Sequence, residues 1–395
     1  MPTNIITSKD KIIWFLTFTF YTTLFFIGRN VYGSYYLAFI AGVILVFTGL
    51  KLQIHAFHIA VFQFALFCLL TIFWARNYFF AMEKANTLFK IFICMTVLYS
   101  YYHKRPDIDV LLKTVLWSGY IVSFYAIIHY GPSRVLFNSA RLYNEFLNVN
   151  SLGMLSSLTI IIHLFYIHFL KKYRDWFFLM IPLVFLIGST QSRKAIIMLV
   201  VGYMFLIIFK NTDNIKKNLL PILRILFVAF MVVLVLILLS QTDAFHGATT
   251  RMNDLIASFT GGESHSTNLR KVYRELGWHQ LQLTPLLGIG MGNGRLLALE
   301  ATNHDCYLHC NYAEIAACGG VIGLISYYGI YLYILVKEYK YLSVDKYAVI
   351  VMTIIFCKLL TDWGAVEYAS KSTYYLFMMY FIHLEQCKAK YPYIK

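Results

Sequence analysis

The chain has 395 residues, of which 59% are hydrophobic and only 13% charged, and its formal net charge is +15. A soluble domain is about one quarter charged, and no soluble core could absorb apolar runs of about 20 residues recurring along almost the whole length, each long enough to cross the roughly 30 Å hydrocarbon core as a helix. The same runs exclude a β-barrel, which needs short alternating segments, and the positive excess reads as topogenic rather than as a nucleic-acid surface.

In chain order, the apolar runs predict about twelve transmembrane helices, near 11–28, 34–50, 54–74, 84–102, 109–130, 150–170, 176–190, 195–210, 219–240, 311–336, 345–361 and 372–386. The first run follows Lys9 and Lys11, is too long for a signal core and lacks a small-residue cleavage site, so no cleavable leader is expected. With the N-terminus inside, the inner loops carry Lys51, then His103, Lys104 and Arg105, then Lys171, Lys172 and Arg174, then Lys210, Lys216 and Lys217, then Lys337, Lys340 and Lys346. The C-terminal tail adds Lys388, Lys390 and Lys395. This satisfies the positive-inside rule and puts both termini in the cytoplasm. The expected fold class is an all-α polytopic membrane protein. It forms one integral membrane domain over 1–395, with a large extracytoplasmic loop at 241–310 that contains short helices. Cys68, Cys94, Cys318, Cys357 and Cys387 lie in apolar runs and read as buried thiols.

Basic residues on the outer side oppose the topogenic trend and call for another reason, an anionic ligand, with simple solvated charge as the competing reading for any one of them. Arg134 and Arg141 fall in an outer loop at 131–149, and Arg193 and Lys194 in a short outer turn. The long loop holds Arg251, Arg270, Lys271, Arg274 and Arg295. Between Asn268 and Leu283 the periodicity predicts a helix, capped at Ser266 or Thr267, with Leu269, Val272, Tyr273 and Leu276 as its apolar stripe. Arg270 and Arg274 share one face of it, and two guanidinium forks match two phosphates. An ordinary amphipathic helix lying on the membrane surface is the competing reading. Pro285-Leu-Leu-Gly-Ile-Gly-Met-Gly-Asn-Gly294 has no βαβ surroundings and no following Lys-Ser/Thr, so it reads as a tight re-entrant turn rather than a nucleotide loop.

The densest polar cluster runs from Asn303 to Glu314 and includes His304, Asp305, Cys306, His309 and Cys310. The residue types invite a zinc reading, yet the spacing is not that of a standard structural site. A Cys306–Cys310 disulfide is a second reading in an oxidising compartment. The third is a histidine acting as general base or hydrogen-bond donor. The histidines inside runs, His129, His163, His168 and His383, read as packed or interfacial.

Four motifs now stand in order: Asn148-Val-Asn-Ser-Leu-Gly153; Thr190-Gln-Ser-Arg-Lys194; Arg270, Trp278 and Pro285-Leu-Leu-Gly-Ile-Gly290; and His309-Cys-Asn-Tyr-Ala-Glu314 with Gly319, Gly320 and Gly323. Together they resemble the O-antigen polymerase and O-antigen ligase superfamily of bacterial membrane glycosyltransferases, with their GT-C-like helical fold. Cys310 departs from the pattern, which often has Asn directly after His. The trailing spacing favours His309 over His304 for the histidine role.

The resemblance implies transfer of a glycan from a polyprenyl (undecaprenyl) diphosphate carrier to a hydroxyl, without metal and with inversion, at the extracytoplasmic face of the bacterial inner membrane. By resemblance Arg193 and Arg270 are the catalytic arginines, and His309 activates or positions the acceptor hydroxyl. Arg274, Arg251, Lys194, Asn150, Asn311 and Glu314 complete the diphosphate- and substrate-binding set. No cofactor is implied. The partners are the lipid-linked oligosaccharide and the bilayer, and the resemblance also allows a chain-length-regulating co-polymerase. The Ser-Arg-Lys-Ala, Asn-Tyr-x-Glu and Gly-Ile-Gly-x-Gly forms look more like a polymerase of lipid-linked repeats than a ligase acting on lipid A-core. A lipid-linked glycan flippase is the rival of another class. It calls for ionisable groups near the midplane, whereas Glu83, Arg224 and Lys358 lie nearer the run ends.

Overall fold

The computed structural model describes residues 7–26, 31–48, 54–104, 107–137, 141–143, 147–210 and 265–394, and every regular element among them is helical. The helices are α1 Ser8–Phe26, α2 Val31–Thr48, α3 Ala56–Leu70, α4 Tyr78–Tyr102, α5 Ile108–Tyr130, α6 Pro132–Phe137, α7 Val149–Phe165, α8 Met180–Thr190 and α9 Arg193–Lys210. After 211–264 come α10 His265–Leu283, α11 Gly294–Thr302, α12 Asn311–Tyr339, α13 Lys346–Thr361 and α14 Lys371–Lys390. Each expected apolar run within the described residues falls on one of these helices. The run at 219–240 and the first part of the long loop, 241–264 with Arg251, lie outside the described residues. By length and composition, four helical stretches among the described residues are apolar enough to cross a membrane: Ala56–Phe73, Ile108–Tyr130, Val149–Leu170 and Asn311–Tyr339.

Polar side chains set the helix ends. Asn77, Asp107, Asn148 and Asp345 each accept backbone N–H groups of the first turn that follows, supplying acceptors that the helix itself lacks there. α14 forms the central post. From Tyr374 to Ile382 its side chains are almost all fully buried, as expected for a helix that is apolar on every face.

The glycine-rich loop is built into α12. Gly320 sits at φ +60°, ψ −159°, and the helix breaks there. Val321 and Ile322 donate to the carbonyls of Pro285 (2.8 Å) and Leu286 (3.2 Å) instead of those of Ala317 and Cys318. The carbonyls thus released accept from Ile289 (3.0 Å) and Gly290 (2.9 Å). The loop is therefore spliced into the helix, and these four hydrogen bonds replace two rungs of its ladder. Irregular backbone is tolerated at membrane depth only where its polar groups find partners. On its other side the loop leans on the 71–77 segment, where Met291 N donates to Thr71 Oγ1 (3.1 Å) and Arg76 N to the Ile289 carbonyl (3.0 Å).

The expected helix near 268–283 begins earlier, at His265, so Ser266 and Thr267 lie inside it rather than capping it. Tyr273 is buried and Leu269 and Leu276 pack with it, but Val272 is 38% exposed. The packed stripe thus runs along Leu269, Tyr273 and Leu276 and leaves out Val272. Gly277 completes that face. A Cβ there would stand 2.8 Å from the Ala313 carbonyl oxygen, so α10 lies directly against the first turn of α12 instead of floating on a membrane surface.

Candidate active site

One end of the bundle gathers the start of α7, the α8–α9 turn, α10, the 303–310 segment, the start of α12 and the turn after α13. The α8–α9 turn is made by Gln191 in the left-handed region (φ +50°). It is pressed onto α7, because Gly153 leaves room where a Cβ would meet Thr190 Oγ1 at 2.7 Å and Ala195 Cβ at 2.9 Å. Ser157 Oγ fastens the contact by donating to the Ala195 carbonyl (2.8 Å). Arg141 joins the first two motifs: its Nη2 donates to Asn150 Oδ1 (3.1 Å) and its Nε to the Thr190 carbonyl (3.2 Å). Arg193 opens α9 and is half-buried. Its neighbour Lys194 donates from Nζ to the carbonyl of Gly364 in the turn after α13.

His309 faces this basic turn. It lies in the left-handed region (φ +57°), uncommon for a residue with a side chain. Its ring sits between Tyr307 (centroids 4.4 Å apart) and Tyr273 of α10 (5.7 Å). Burial, and then the positive charges of Arg270 and Lys194, pull the imidazole from its ordinary 6.5 down to about 4. The ring is therefore neutral near pH 7, with a lone pair able to accept a proton. Arg274, one turn beyond Arg270, lays its guanidinium over the Trp363 ring at 5.5 Å. The structure thus brings His309, Arg270, Lys194 and Arg141 within electrostatic reach of one another.

Two of the sequence candidates are internal. Asn311 is 0% exposed. Its amide nitrogen donates to Tyr328 Oη (3.0 Å) and Asp362 Oδ2 (2.9 Å), and its oxygen accepts the backbone N–H groups of Glu367 and Tyr368. Glu314 is 3% exposed and accepts the Leu308 N–H at 2.8 Å, holding the residue before His309 and not the ring itself. Both side chains take part in fixing the 308–311 corner. Burial pushes the Asp362 carboxyl up to about 6 against the opposing pull of Lys358, Tyr328 and Asn311.

The rest of the 303–310 cluster diverges. His304 is exposed. Asp305 is held by Arg295, with Nε 2.6 Å from Oδ1. Cys306 and Cys310 are free thiols rather than a disulfide. The sequence reading missed the aromatic walls Tyr273 and Tyr307 and the Asp362-Trp363-Gly364 turn. The only signal for that turn was a polar and aromatic group at the end of an apolar run. A groove of ≈ 580 Å³ runs along the glycine-rich loop, lined by Trp74, Arg76 and residues 284–289. It is separate from the histidine cluster.

Fold and site together define a helical membrane protein with a neutral histidine at one end of its bundle, set near Arg270 and near Lys194, whose ammonium is pulled down to about 7 by burial and then by Arg270 and Arg141. Residues 177–328 match the family described as O-antigen ligase, a span that includes Arg193, Lys194, Arg270, Arg274, His309, Asn311 and Glu314. The match supports the O-antigen polymerase and ligase superfamily, and with it O-antigen polymerase- or ligase-type function in polysaccharide biosynthesis. No curated protein matches the chain.

Proposed function

We propose that the protein is a polymerase of lipid-linked oligosaccharide repeat units. It transfers glycan from a polyprenyl diphosphate carrier to a sugar hydroxyl of a second lipid-linked repeat, at the extracytoplasmic face of the bacterial inner membrane, within a bundle of about twelve spans. The observation that carries this reading is the placement of His309, its ring packed on Tyr273 and Tyr307 and within electrostatic reach of Arg270 and Lys194. A base and an anion site side by side suit attack by a hydroxyl on a carbon that bears a phosphate leaving group.

In the proposed step the acceptor oxygen forms a bond to the anomeric carbon as the bond from that carbon to the diphosphate oxygen breaks. The hydroxyl proton passes to His309, and the electron pair leaves on the diphosphate. One direct displacement inverts the anomeric centre. Arg270, Arg193, Lys194 and Arg274 stabilise the charge developing on the leaving group, as preorganised cations do in a site shielded from water. Asn150 and Arg141 hold the turn that presents Arg193 and Lys194. Arg251 is proposed as a further diphosphate contact from the long loop. The groove along Trp74 and 284–289 is the proposed seat of the polyprenyl tail, its apolar lining matching an isoprenoid chain.

Ligation of finished polymer to lipid A-core is the second reading, favoured by the description of the matching family. Deleting the gene and sizing the lipid-linked and surface glycans separates the two. Single repeats without polymer, restored by wild type but not by His309→Ala, establish the polymerase. Long polymer stranded on its carrier establishes the ligase, and an unchanged profile refutes both.

A further inference from the structure

At the opposite end of α12 from His309, three helices close over buried groups that the proposed reaction does not use. Glu338 ends α12, Asp345 caps α13, and His383 and Cys387 lie one turn apart on α14. None is more than 3% exposed. His383 Nδ1 lies 2.9 Å from both carboxylate oxygens of Glu338. In the neutral tautomer that donates Nδ1–H there, which a bound ion would select, Nε2 presents its lone pair to the other side. Cys387 Sγ lies 3.3 Å from that nitrogen and Asp345 Oδ1 3.6 Å from it. The ligand atoms of Asp345, His383 and Cys387 all fall within 4.8 Å of one another.

A tetrahedral zinc with bonds of about 2.0–2.3 Å needs its ligand atoms roughly 3.3–3.5 Å apart. The two distances from His383 Nε2 are close to those edges. Asp345 Oδ1 also accepts the Tyr347 N–H (2.9 Å), which leaves it a second lone pair. Its Oδ2 is turned away, held by Lys390 Nζ (3.1 Å) and Tyr391 Oη (3.3 Å).

We propose that Asp345, His383 and Cys387 form a binding site for a divalent ion of the zinc class, with Glu338 fixing the imidazole from behind. One thiolate, one imidazole and one carboxylate form a ligand set that suits zinc and not magnesium or calcium, whose sites are built from oxygen. A carboxylate on the far nitrogen of a ligating histidine is the usual means of fixing its tautomer and orientation. The charges of the thiolate and of Asp345 offset those of the ion, and the Glu338 carboxylate is left as one buried negative charge hydrogen-bonded to the imidazole. The ion ties the ends of α12, α13 and α14 together and has no part in the transfer chemistry, so the site stands or falls independently of the proposed function.

The test uses the full-length protein in detergent, equilibrated with zinc, desalted and assayed for metal by mass spectrometry. One zinc per chain is expected, falling to background in Cys387→Ser and His383→Gln. Glu338→Gln keeps the ligands and is expected to weaken zinc about 10- to 100-fold. Cobalt in place of zinc gives thiolate-to-metal absorption in the wild type and in Cys306→Ser, but not in Cys387→Ser. Wild type that retains no zinc overturns the proposal, as does zinc with an undiminished thiolate band in Cys387→Ser. Should Cys387→Ser or His383→Gln fail to elute as a folded species, Glu338→Gln decides: weakened zinc supports the site, unchanged affinity overturns it.

Discussion

Gly320→Ala is the sharpest test of the splice between the glycine-rich loop and α12. At φ +60°, ψ −159° a residue with a side chain is strained by about 1–3 kcal/mol. A Cβ there would also collide with the Leu286 carbonyl, backbone that cannot swing aside as a side chain can. Relief requires the loop to lift, which breaks the four hydrogen bonds of the splice at a net cost of about 0.5–1.5 kcal/mol each. The total is roughly 3–9 kcal/mol, a large share of the stability of an ordinary domain. The assay is thermal unfolding in detergent, followed by size-exclusion fluorescence, together with protease sensitivity of 284–293. Gly329→Ala is the internal control. It lies in the same helix with nothing within 4 Å of its added Cβ, and it should be neutral or slightly stabilising. A Gly320→Ala protein with the wild-type midpoint and a protected loop refutes the reasoning.

His309→Ala should reduce transfer by about 10²–10⁴-fold in a reconstituted assay, with donor lipid still bound. A neutral imidazole is required and His309 is held down at about 4, so activity should persist from neutral pH to near 4 and fall only below it. Arg270→Gln removes one of the charges that depress the ring, so the residual activity should fall away at a higher pH than in the wild type, still below 6.5 because burial, the larger cause, remains. An acid limb at 6.5 in the wild type would refute the neutral, buried base. Arg193→Lys should lose most activity although charge is kept, because the planar fork is lost; full activity counts against phosphate clamping there. Asn311→Ala leaves the Glu367 and Tyr368 N–H groups without their acceptor, at a cost of about 1–3 kcal/mol. It should show as a lowered melting temperature with little change in KM.

The helices were legible because a membrane span is a length and a composition, and both are local. The tight turns at Gly288, Gly290 and Gly292 were legible for the same reason: all three have positive φ. The break that receives them was not, since nothing local pairs Pro285 and Leu286 with Val321 and Ile322. The order of motifs pointed to His309, Arg193 and Arg270. It did not reveal that Lys194 comes within electrostatic reach of His309, because which residues of a turn face inward depends on contacts such as that at Gly153. Asn311 and Glu314 stood out in the sequence as polar residues at the start of an apolar run, but their partners were not legible there. Their partners lie in distant sequence, at Asp362 and Glu367 for Asn311, or in the backbone at Leu308 for Glu314. His383 read correctly as a packed histidine, but its carboxylate neighbours come from two other helices.

The splice also bears on how the chain is made. The loop at 284–293 precedes α12 in sequence, so it leaves the ribosome first, and synthesis is slow enough for earlier segments to organise before later ones arrive. When α12 enters the membrane, the strip of backbone that completes its ladder is already waiting. A circular permutation with its new termini opened between 293 and 294 would place α12 ahead of 284–293 in synthesis and reverse that order, sending a gapped helix into lipid with nothing to fill the gap.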